Sequence, residues 1–271
     1  MNIKNNRFWN NTIIICCLYL VSGCSVDEKQ KVTNYTNLVM QDEFSTDGAL
    51  SNSLWNYNIG TGANGWGNNE LEYYTDRPEN VKIENGMLKI TAIKESYMGS
   101  AYTSARITTK GKFTQKYGRF EARIKMPYGQ GMWPAFWLLG ENSDAVVWPQ
   151  CGEIDIMEFR GQEPSTTNGT IHGPGYSGAS AITKSYTLPN DRLDTDFHVF
   201  GIEWGENYIN FYVDDVLYNQ ITPEKANGQW VFDQPFYIII NLAVGGNFVG
   251  APNTQTVFPQ SMLIDYVRVY N

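Results

Sequence analysis

The sequence predicts an all-β protein, a jelly-roll sandwich of two packed antiparallel sheets. Several short segments alternate apolar and polar residues with the two-residue period of a half-buried strand. The 25 glycines and 11 prolines interrupt these segments, and no segment shows a long 3.6-residue periodicity. Residues 38–271 contain no linker, repeat or low-complexity tract. One continuous unit of this length favours a jelly roll over a smaller immunoglobulin-type sandwich.

The clearest alternation runs from Gly118 to Met126, where apolar residues on one face are separated by charged residues on the other. Tyr208–Val213 alternates similarly and ends at Asp214-Asp215, which is a typical turn sequence. Phe236–Val244 is almost continuously apolar, which predicts a strand buried on both faces. Further strand-like segments cover Met87–Ile93, Phe197–Trp204 and Met262–Tyr270.

The composition excludes several classes of protein. The chain is 42% hydrophobic and 18% charged, which argues against both a disordered chain and a membrane bundle. A net charge of -8 argues against a nucleic-acid partner held by phosphate contacts. With 2 histidines and 4 cysteines, a His/Cys zinc site is nearly excluded.

Residues 1–23 predict a lipoprotein signal peptide. A short basic region precedes the apolar stretch Ile13–Val21, which suits a signal peptide and is too short to span a bilayer. The sequence VSGC, ending at Cys24, resembles a bacterial lipoprotein cleavage box. This resemblance implies cleavage before Cys24 and a lipid on that cysteine, the alternative being an ordinary signal peptide. Asp27 and Glu28 resemble surface-export signals, so we expect a lipid-anchored protein of the bacterial cell envelope, at the outer membrane or cell surface.

The remaining chain divides into two parts. Residues 24–37 are polar and predict a flexible tether. Residues 38–271 form the predicted catalytic domain. Cys151 would be the single thiol left after processing, and we interpret it as a packing residue because no Cys-His pairing is evident.

The segment that carries chemistry is EIDIME, from Glu153 to Glu158. Glu153 and Asp155 share one face of a strand, whereas Glu158 would point to the opposite face of a regular strand. A β-bulge around Ile156 or Met157 would return Glu158 to the acidic face. Two carboxyl groups about 5–5.5 Å apart on one face are what a retaining glycosidase requires. The alternatives are a solvated acidic face or a calcium site.

EIDIME resembles the active-site signature of glycoside hydrolase family 16, in the bulged form of laminarinases. The resemblance covers about residues 40–271 and implies a concave substrate cleft and an endo-acting, retaining mechanism that requires no cofactor. Four further motifs agree with it in order: GWGNNELEYYT (65–75), GMWPAFWL (131–138), TIHGPGYS (170–177) and NLAVGG (241–246).

The resemblance implies catalytic roles for three residues. Glu153 would be the nucleophile and Glu158 the general acid/base, while Asp155 would orient or tune the nucleophile. The charge on Glu153 would raise the pKa of Glu158, which could then protonate the leaving oxygen.

The same resemblance suggests substrate contacts. Trp133 and Trp137 are four residues apart, so both would face one side of a strand and could stack on sugars. Further expected contacts are Trp148, His172, Asn69 and Arg106. The alternatives are structural: core packing for the tryptophans, a structural histidine, turn chemistry at Asn69 and a surface arginine. We interpret His198 and the buried Asn241 as structural.

Members of the family often carry a calcium ion on the convex side. The positions that would hold this possible structural calcium are Glu43 or its backbone, the carbonyl of Gly86, and Asp265. A carboxylate such as Asp265 in an apolar strand would suit a hard cation.

We therefore expect a monomeric endo-β-1,3-glucanase that binds a β-glucan polysaccharide or oligosaccharide. Alternatives within the family are activity on mixed-linkage β-glucan or on red-algal galactan. A third alternative is a non-catalytic carbohydrate-binding surface lipoprotein. Its lack of catalysis should be visible as the loss of a glutamate, and both glutamates are present.

Overall fold

The structure, a computed structural model, describes residues 35–271. The predicted signal peptide, the lipidation residue Cys24 and most of the predicted tether lie outside these residues. Within them the fold is a sandwich of two sheets, which confirms the all-β jelly-roll prediction. No helix in this part of the chain has the length and apolar character needed to cross a membrane.

The strands follow one another along the whole described chain. In order they are β1 (Leu38–Asp42), β2 (Asn56–Asn58), β3 (Glu72–Tyr74), β4 (Val81–Glu84), β5 (Met87–Tyr97), β6 (Ser100–Ser104), β7 (Arg106–Thr108), β8 (Gly118–Lys125), β9 (Met132–Gly140), β10 (Glu153–Phe159), β11 (Thr166–His172), β12 (Ile182–Thr187), β13 (His198–Gly205), β14 (Tyr208–Val213), β15 (Val216–Ile221), β16 (Phe236–Val244) and β17 (Gln260–Tyr270). Helical structure in residues 35–271 is limited to the short turns Gly65–Asn69, Glu141–Asp144 and Gly178–Ser180.

The larger sheet has the strand order β15-β14-β13-β8-β17-β5-β6-β3, with β1 and β4 pairing β17 and β5. The smaller sheet has the order β12-β11-β10-β9-β16-β7-β2. Within residues 35–271 the paired strands are antiparallel, except β3 and β6, which are parallel. We call these the large sheet and the small sheet.

The core lies between the two sheets. Phe120, Ala122 and Ile124 of β8 are all 0% exposed and belong to this core, as the alternation predicts. Every residue of β16 is buried, which confirms the prediction from its continuous apolar run. Its even-numbered residues enter the core, while Ala243 packs in a second cluster on the outer face of the small sheet.

The turn Asp214-Asp215 joins β14 to β15 as predicted. Both residues have positive φ, 50° and 64°, which is the geometry of a two-residue hairpin turn with the twist of its strands. The Asp214 carboxylate lies 2.6 Å from His198 Nδ1 and accepts a hydrogen bond from the Val199 amide. This contact agrees with the structural interpretation of His198.

Candidate active site

The three acids of β10 share the outer face of the small sheet because of a β-bulge. The pairing of β10 with both neighbouring strands shifts after Asp155. Ile156 and Met157 are consecutive, yet both are buried in the core, 1% and 0% exposed. The extra residue restores Glu158 to the face of Glu153 and Asp155, which confirms the predicted bulge.

His172 lies at the centre of the acidic group. It is the direct cross-strand partner of Glu153. Its Nε2 atom is 3.2 Å from Asp155 Oδ2 and 3.7 Å from Glu153 Oε1. The short distances from His172 are to these two acids.

The tautomer of His172 follows from its second nitrogen. The Gly178 amide donates a hydrogen bond to His172 Nδ1 at 3.2 Å. In neutral imidazole one nitrogen accepts and the other donates, so Nε2 carries the proton. The Nε2–H group lies 3.2 Å from Asp155 Oδ2 without the alignment of a hydrogen bond, because that oxygen has no hydrogen-bond partner among residues 35–271. Its effect on the Asp155–Glu153 pair is therefore electrostatic.

Burial raises the pKa of all three carboxyl groups. The pKa of Glu153 rises to about 8 through burial and the neighbouring Asp155 charge. The pKa of Glu158 rises to about 7 through burial, with the charge of Glu153 adding to the effect. Burial and the charge of Glu158 hold the pKa of Asp155 well above its usual range. The cleft therefore retains protons that exposed carboxyls would lose at neutral pH.

Hydrogen bonds divide the roles of the two glutamates. Trp148 Nε1 donates to Glu153 Oε2 at 2.8 Å. Glu158 receives longer bonds, 3.3 Å from Trp133 Nε1 and 3.4 Å from Thr170 Oγ1. Donors stabilise the charged form of a carboxyl, so the hydrogen bonds favour the negative charge on Glu153 and the proton on Glu158. Beyond burial, the higher pKa of Glu153 reflects the Asp155 charge beside it, and a proton on Asp155, whose pKa is also well above its usual range, removes that effect.

Trp133 faces the cleft side of the small sheet but is largely covered. Its ring is 8% exposed and packs against Phe248 at a centroid distance of 5.1 Å. Gly246, with a φ of 99°, lets the covering loop approach, because a Cβ there would lie 3.3 Å from the indole. Trp133 thus contacts Glu158 and offers little free surface for stacking on a sugar.

Trp137 is more accessible and lies beside Arg106. The Arg106 guanidinium is 4.9 Å from the Trp137 ring centroid and 4.4 Å from that of Trp66. Trp137 Nε1 donates to Asn241 Oδ1 at 2.8 Å, which satisfies the buried amide. The cross-strand partner of Trp137 is Asp155, so this group adjoins the acids.

The remaining predicted contacts lie at the margins. Trp148 is 44% exposed, and its ring lies 5.6 Å from the ring of His172. Asn69 is exposed and donates to Asn247 Oδ1 at 2.9 Å.

Cys151 is 1% exposed and burial raises its pKa, which keeps it a thiol and agrees with the packing interpretation.

Sequence reasoning missed two residues of this site. Thr170 contacts Glu158, and its position two residues before His172 on one strand could have indicated a shared face. Phe248 covers Trp133 from a loop far away in sequence, and no local pattern indicates that contact.

The side chains of two expected calcium ligands, Glu43 and Asp265, pair with arginines. Arg268 holds both oxygens of Glu43, at 2.7 and 2.9 Å. Arg123 Nη1 lies 2.7 Å from Asp265 Oδ2. Gly86 donates its amide to Asp47 at 3.3 Å, a contact that leaves the proposed carbonyl ligand untested. Both carboxylates are neutralised by arginines, and the calcium expectation remains a prediction.

One group within residues 35–271 has the composition of a metal site, namely Glu153, Asp155 and His172, whose ligand atoms lie within 4.8 Å of one another. The same atoms are those of the proton-sharing acids and the Nε2–H donor. The site therefore places a charged Glu153 near a protonated Glu158. Nucleophilic catalysis with general acid assistance requires such a pair.

Comparisons with known proteins agree with this geometry. Residues 68–268 match the family model described as glycosyl hydrolases family 16. The chain is 40% identical over 266 residues to the β-glucanase of Rhodothermus marinus, covering 93% of this chain and 92% of that protein. It is 40% identical to glucan endo-1,3-β-glucosidase A1 of Niallia circulans, covering 86% of this chain and 38% of that protein. The laminarinase catalytic domain of Thermotoga maritima superposes with a TM-score of 0.83 at 50% identity, covering 87% of this chain and 98% of the other.

Proposed function

The chain belongs to family 16 of the glycosyl hydrolases, and from this premise we propose that it cleaves internal β-1,3-glucosidic bonds of laminarin-like β-glucans. The similar proteins carry the names β-glucanase, glucan endo-1,3-β-glucosidase and laminarinase. Glucanases of this family require no cofactor for catalysis.

The observation that carries the proposal is the bulge at Ile156. It places Glu153 and Glu158 on one open face, each with its own hydrogen-bond donors. A regular strand would bury Glu158 in the core and leave no acid pair.

In the first step, Glu153 attacks the anomeric carbon while the glycosidic carbon–oxygen bond breaks. Glu158 gives its proton to the leaving oxygen, so the departing sugar leaves as a neutral alcohol. The negative charge of Glu153 disappears into the ester, and Trp148 and His172 stabilise that charge beforehand.

In the second step, a water molecule attacks the same carbon. Loss of the Glu153 charge lowers the pKa of Glu158, which now accepts the proton of the water. The ester bond breaks, Glu153 regains its charge, and the sugar keeps its original anomeric configuration. Asp155 and its neighbour His172 hold Glu153 in position during both steps.

Trp137 and Arg106 supply the sugar-binding surface in this proposal, since they lie next to the acids and Trp137 is the less covered of the two tryptophans on β9. Trp148, at the other margin, would contact the same sugar chain as Glu153. Aromatic faces suit the apolar faces of sugar rings, and the mixed polar groups between them suit the hydroxyls.

We further propose that the protein is lipid-anchored through Cys24 in the bacterial cell envelope and acts as a monomer. The support is the VSGC sequence after an apolar segment and the acids that follow it. Labelled palmitate should enter the wild-type protein in a bacterial host and not the Cys24→Ala variant. Equal labelling of both would contradict the anchor.

The decisive test is a panel of polysaccharides assayed for new reducing ends, with laminarin, mixed-linkage β-glucan and agarose as substrates. We expect laminarin to be cleaved fastest, with oligosaccharides of several lengths appearing early and the first products retaining the β configuration by proton NMR. Faster cleavage of agarose or mixed-linkage glucan would replace the substrate assignment. Binding of laminarin without cleavage would overturn the enzymatic proposal.

A further inference from the structure

A chain of hydrogen bonds runs from the cleft floor to Glu70, an acid in the loop before β3. Trp137 Nε1 donates to Asn241 Oδ1 at 2.8 Å, and Asn241 Nδ2 donates to the Tyr74 hydroxyl at 3.2 Å. Tyr74 donates in turn to Glu70 Oε2 at 2.9 Å. Tyr74 and Asn241 are 0% and 6% exposed, so water competes little with this chain.

The direction of the chain is fixed by its first member. An indole N–H can only donate, so the oxygen of the Asn241 amide must face Trp137 and its nitrogen must face Tyr74. The Tyr74 oxygen then receives one hydrogen bond and sends its own proton to Glu70. Every donor points away from the cleft and toward one carboxylate, an arrangement in which each bond polarises the next.

Glu70, the last member of the chain, adjoins the buried acid Glu72. Glu72 is 0% exposed, and its Oε2 accepts the Val244 amide at 2.6 Å. Burial and the charge of Glu70 raise the pKa of Glu72 well above its ordinary value. Burial therefore favours the neutral form of Glu72, and the neighbouring Glu70 accepts a hydrogen bond of 3.3 Å from Asn68 Nδ2.

The hydrogen bond to Asn241 gives Trp137 a directional contact, in contrast to the stacking of Arg106 on its ring face. Arg106 lies against the ring face at 4.9 Å, which allows the indole to slide. The N–H bond to Asn241 sets the direction of the ring edge. The position of this ring matters because its cross-strand partner is the catalytic-site acid Asp155.

We propose that Glu70 and Tyr74 are positioning residues for substrate binding: through Asn241 they hold the indole of Trp137 in the orientation that receives a sugar ring. Neither residue touches the reacting atoms. The kinetic consequence rests on the proposed function, whereas the hydrogen-bond chain itself does not.

The test uses Tyr74→Phe, with Tyr73→Phe as the matched control. Tyr73 lies on the same strand, points to the opposite face and packs against Tyr97 at 5.3 Å. The loss of one hydrogen bond predicts a rise of about two- to tenfold in KM for laminarin in Tyr74→Phe, with kcat nearly unchanged. Tyr73→Phe should leave both constants at the wild-type values.

A spectroscopic readout tests the chain without any substrate. The indole N–H resonance of Trp137 is the one that disappears from the nitrogen–proton NMR spectrum of Trp137→Phe. It should shift in Tyr74→Phe and in Glu70→Gln, and stay in place in Tyr73→Phe. An unshifted resonance in Tyr74→Phe would overturn the proposal, even if that variant were less stable.

A double-mutant cycle separates positioning from general destabilisation. In the Trp137→Phe background the chain has already lost its cleft end, so adding Tyr74→Phe should not raise KM further. Additive increases in KM would contradict the proposal. If the wild-type protein failed to cleave laminarin, the proposed function would fall, and the NMR result would still decide whether the chain orients Trp137.

Discussion

The arginine-paired acids of the large sheet and the acids of the cleft meet opposite surroundings. On the large sheet, Glu121 is 5% exposed and accepts Arg119 Nε at 2.8 Å. In the cleft, His172 is the one basic side chain within ion-pair distance of Glu153 or Asp155 among residues 35–271. Arginines also pair with Glu43 and Asp265.

The comparison teaches where a buried acid serves stability and where it serves chemistry. A carboxylate with an arginine keeps its charge and has no proton to exchange. A carboxyl that is buried without a cation has a raised pKa and can bind or release a proton near neutral pH. Glu153 and Glu158 are of the second kind, at a cost in folding free energy that a purely structural strand would not carry.

The largest expected difference is between a glutamate substitution in the cleft and the same substitution on the large sheet. Glu153→Gln removes the nucleophile and should lower kcat on laminarin by about 10⁴-fold or more, while oligosaccharide binding remains. Glu121→Gln breaks a buried ion pair and should lower the free energy of unfolding by about 1–3 kcal/mol without changing kcat. Reducing-end assays, calorimetric titration and urea unfolding measure these quantities.

Two outcomes would break the contrast. Wild-type turnover in Glu153→Gln would remove this residue from the mechanism. A large loss of kcat in a fully folded Glu121→Gln protein would show that the large sheet takes part in catalysis.

The next effect is on pH dependence. Glu158 must hold its proton to assist the leaving group, and burial raises its pKa to about 7. We therefore expect kcat/KM to fall about tenfold per pH unit above about pH 7. A profile that stays flat to pH 9 would contradict the assignment of Glu158 as the acid.

The titration of Glu158 also changes the free energy of unfolding with pH. The folded state holds the Glu158 proton to higher pH than the unfolded state, so this residue lowers the free energy of unfolding as pH rises from about 4.5 to about 7. Glu158→Gln should remove that fall. Glu95 is the control of opposite sign, because Arg77 lowers its pKa and its contribution is lost on acidification. Unfolding curves of Glu158→Gln and Glu95→Gln from about pH 2.5 to about pH 8 compare the two, because the Glu95 contribution is lost below its ordinary pKa of 4.5.

The smallest expected effect on kcat comes from removing the indole N–H of Trp148. This neutral donor contacts Glu153, whereas the acids of the large sheet compared above contact arginines. Trp148→Phe keeps an aromatic ring beside His172 but loses the 2.8 Å hydrogen bond to Glu153. We expect kcat to fall by about two- to tenfold, the range for one hydrogen bond, with little change in stability because Trp148 is exposed. A loss as large as that of Glu153→Gln would mean that Trp148 does more than stabilise the charge.

Local sequence patterns predicted the parts of the fold that depend on local chemistry. The alternation in β8, the apolar run of β16 and the turn Asp214-Asp215 all have the predicted structure. The bulge at Ile156 was also predictable, because acids separated first by one apolar residue and then by two fit one face of a strand only if one residue is extra.

Contacts between distant segments were not predictable. Trp133 faces the cleft as expected, yet Phe248 covers it from another loop. Arg268 reaches Glu43 across more than 200 positions of sequence, an ion pair that no periodicity indicates. Such contacts depend on which strands become neighbours, and strand order is a property of the whole sandwich.

The hydrogen bond from Gly178 to His172 has a consequence for trace metals. Zinc or copper would need the lone pair of Nε2, which would transfer the imidazole proton to Nδ1 and set it against the Gly178 N–H group. Two donors facing each other repel, so a metal ion at Nε2 would cost the imidazole its hydrogen bond with Gly178. The tautomer held by this one backbone amide therefore disfavours zinc or copper at the histidine beside the acids.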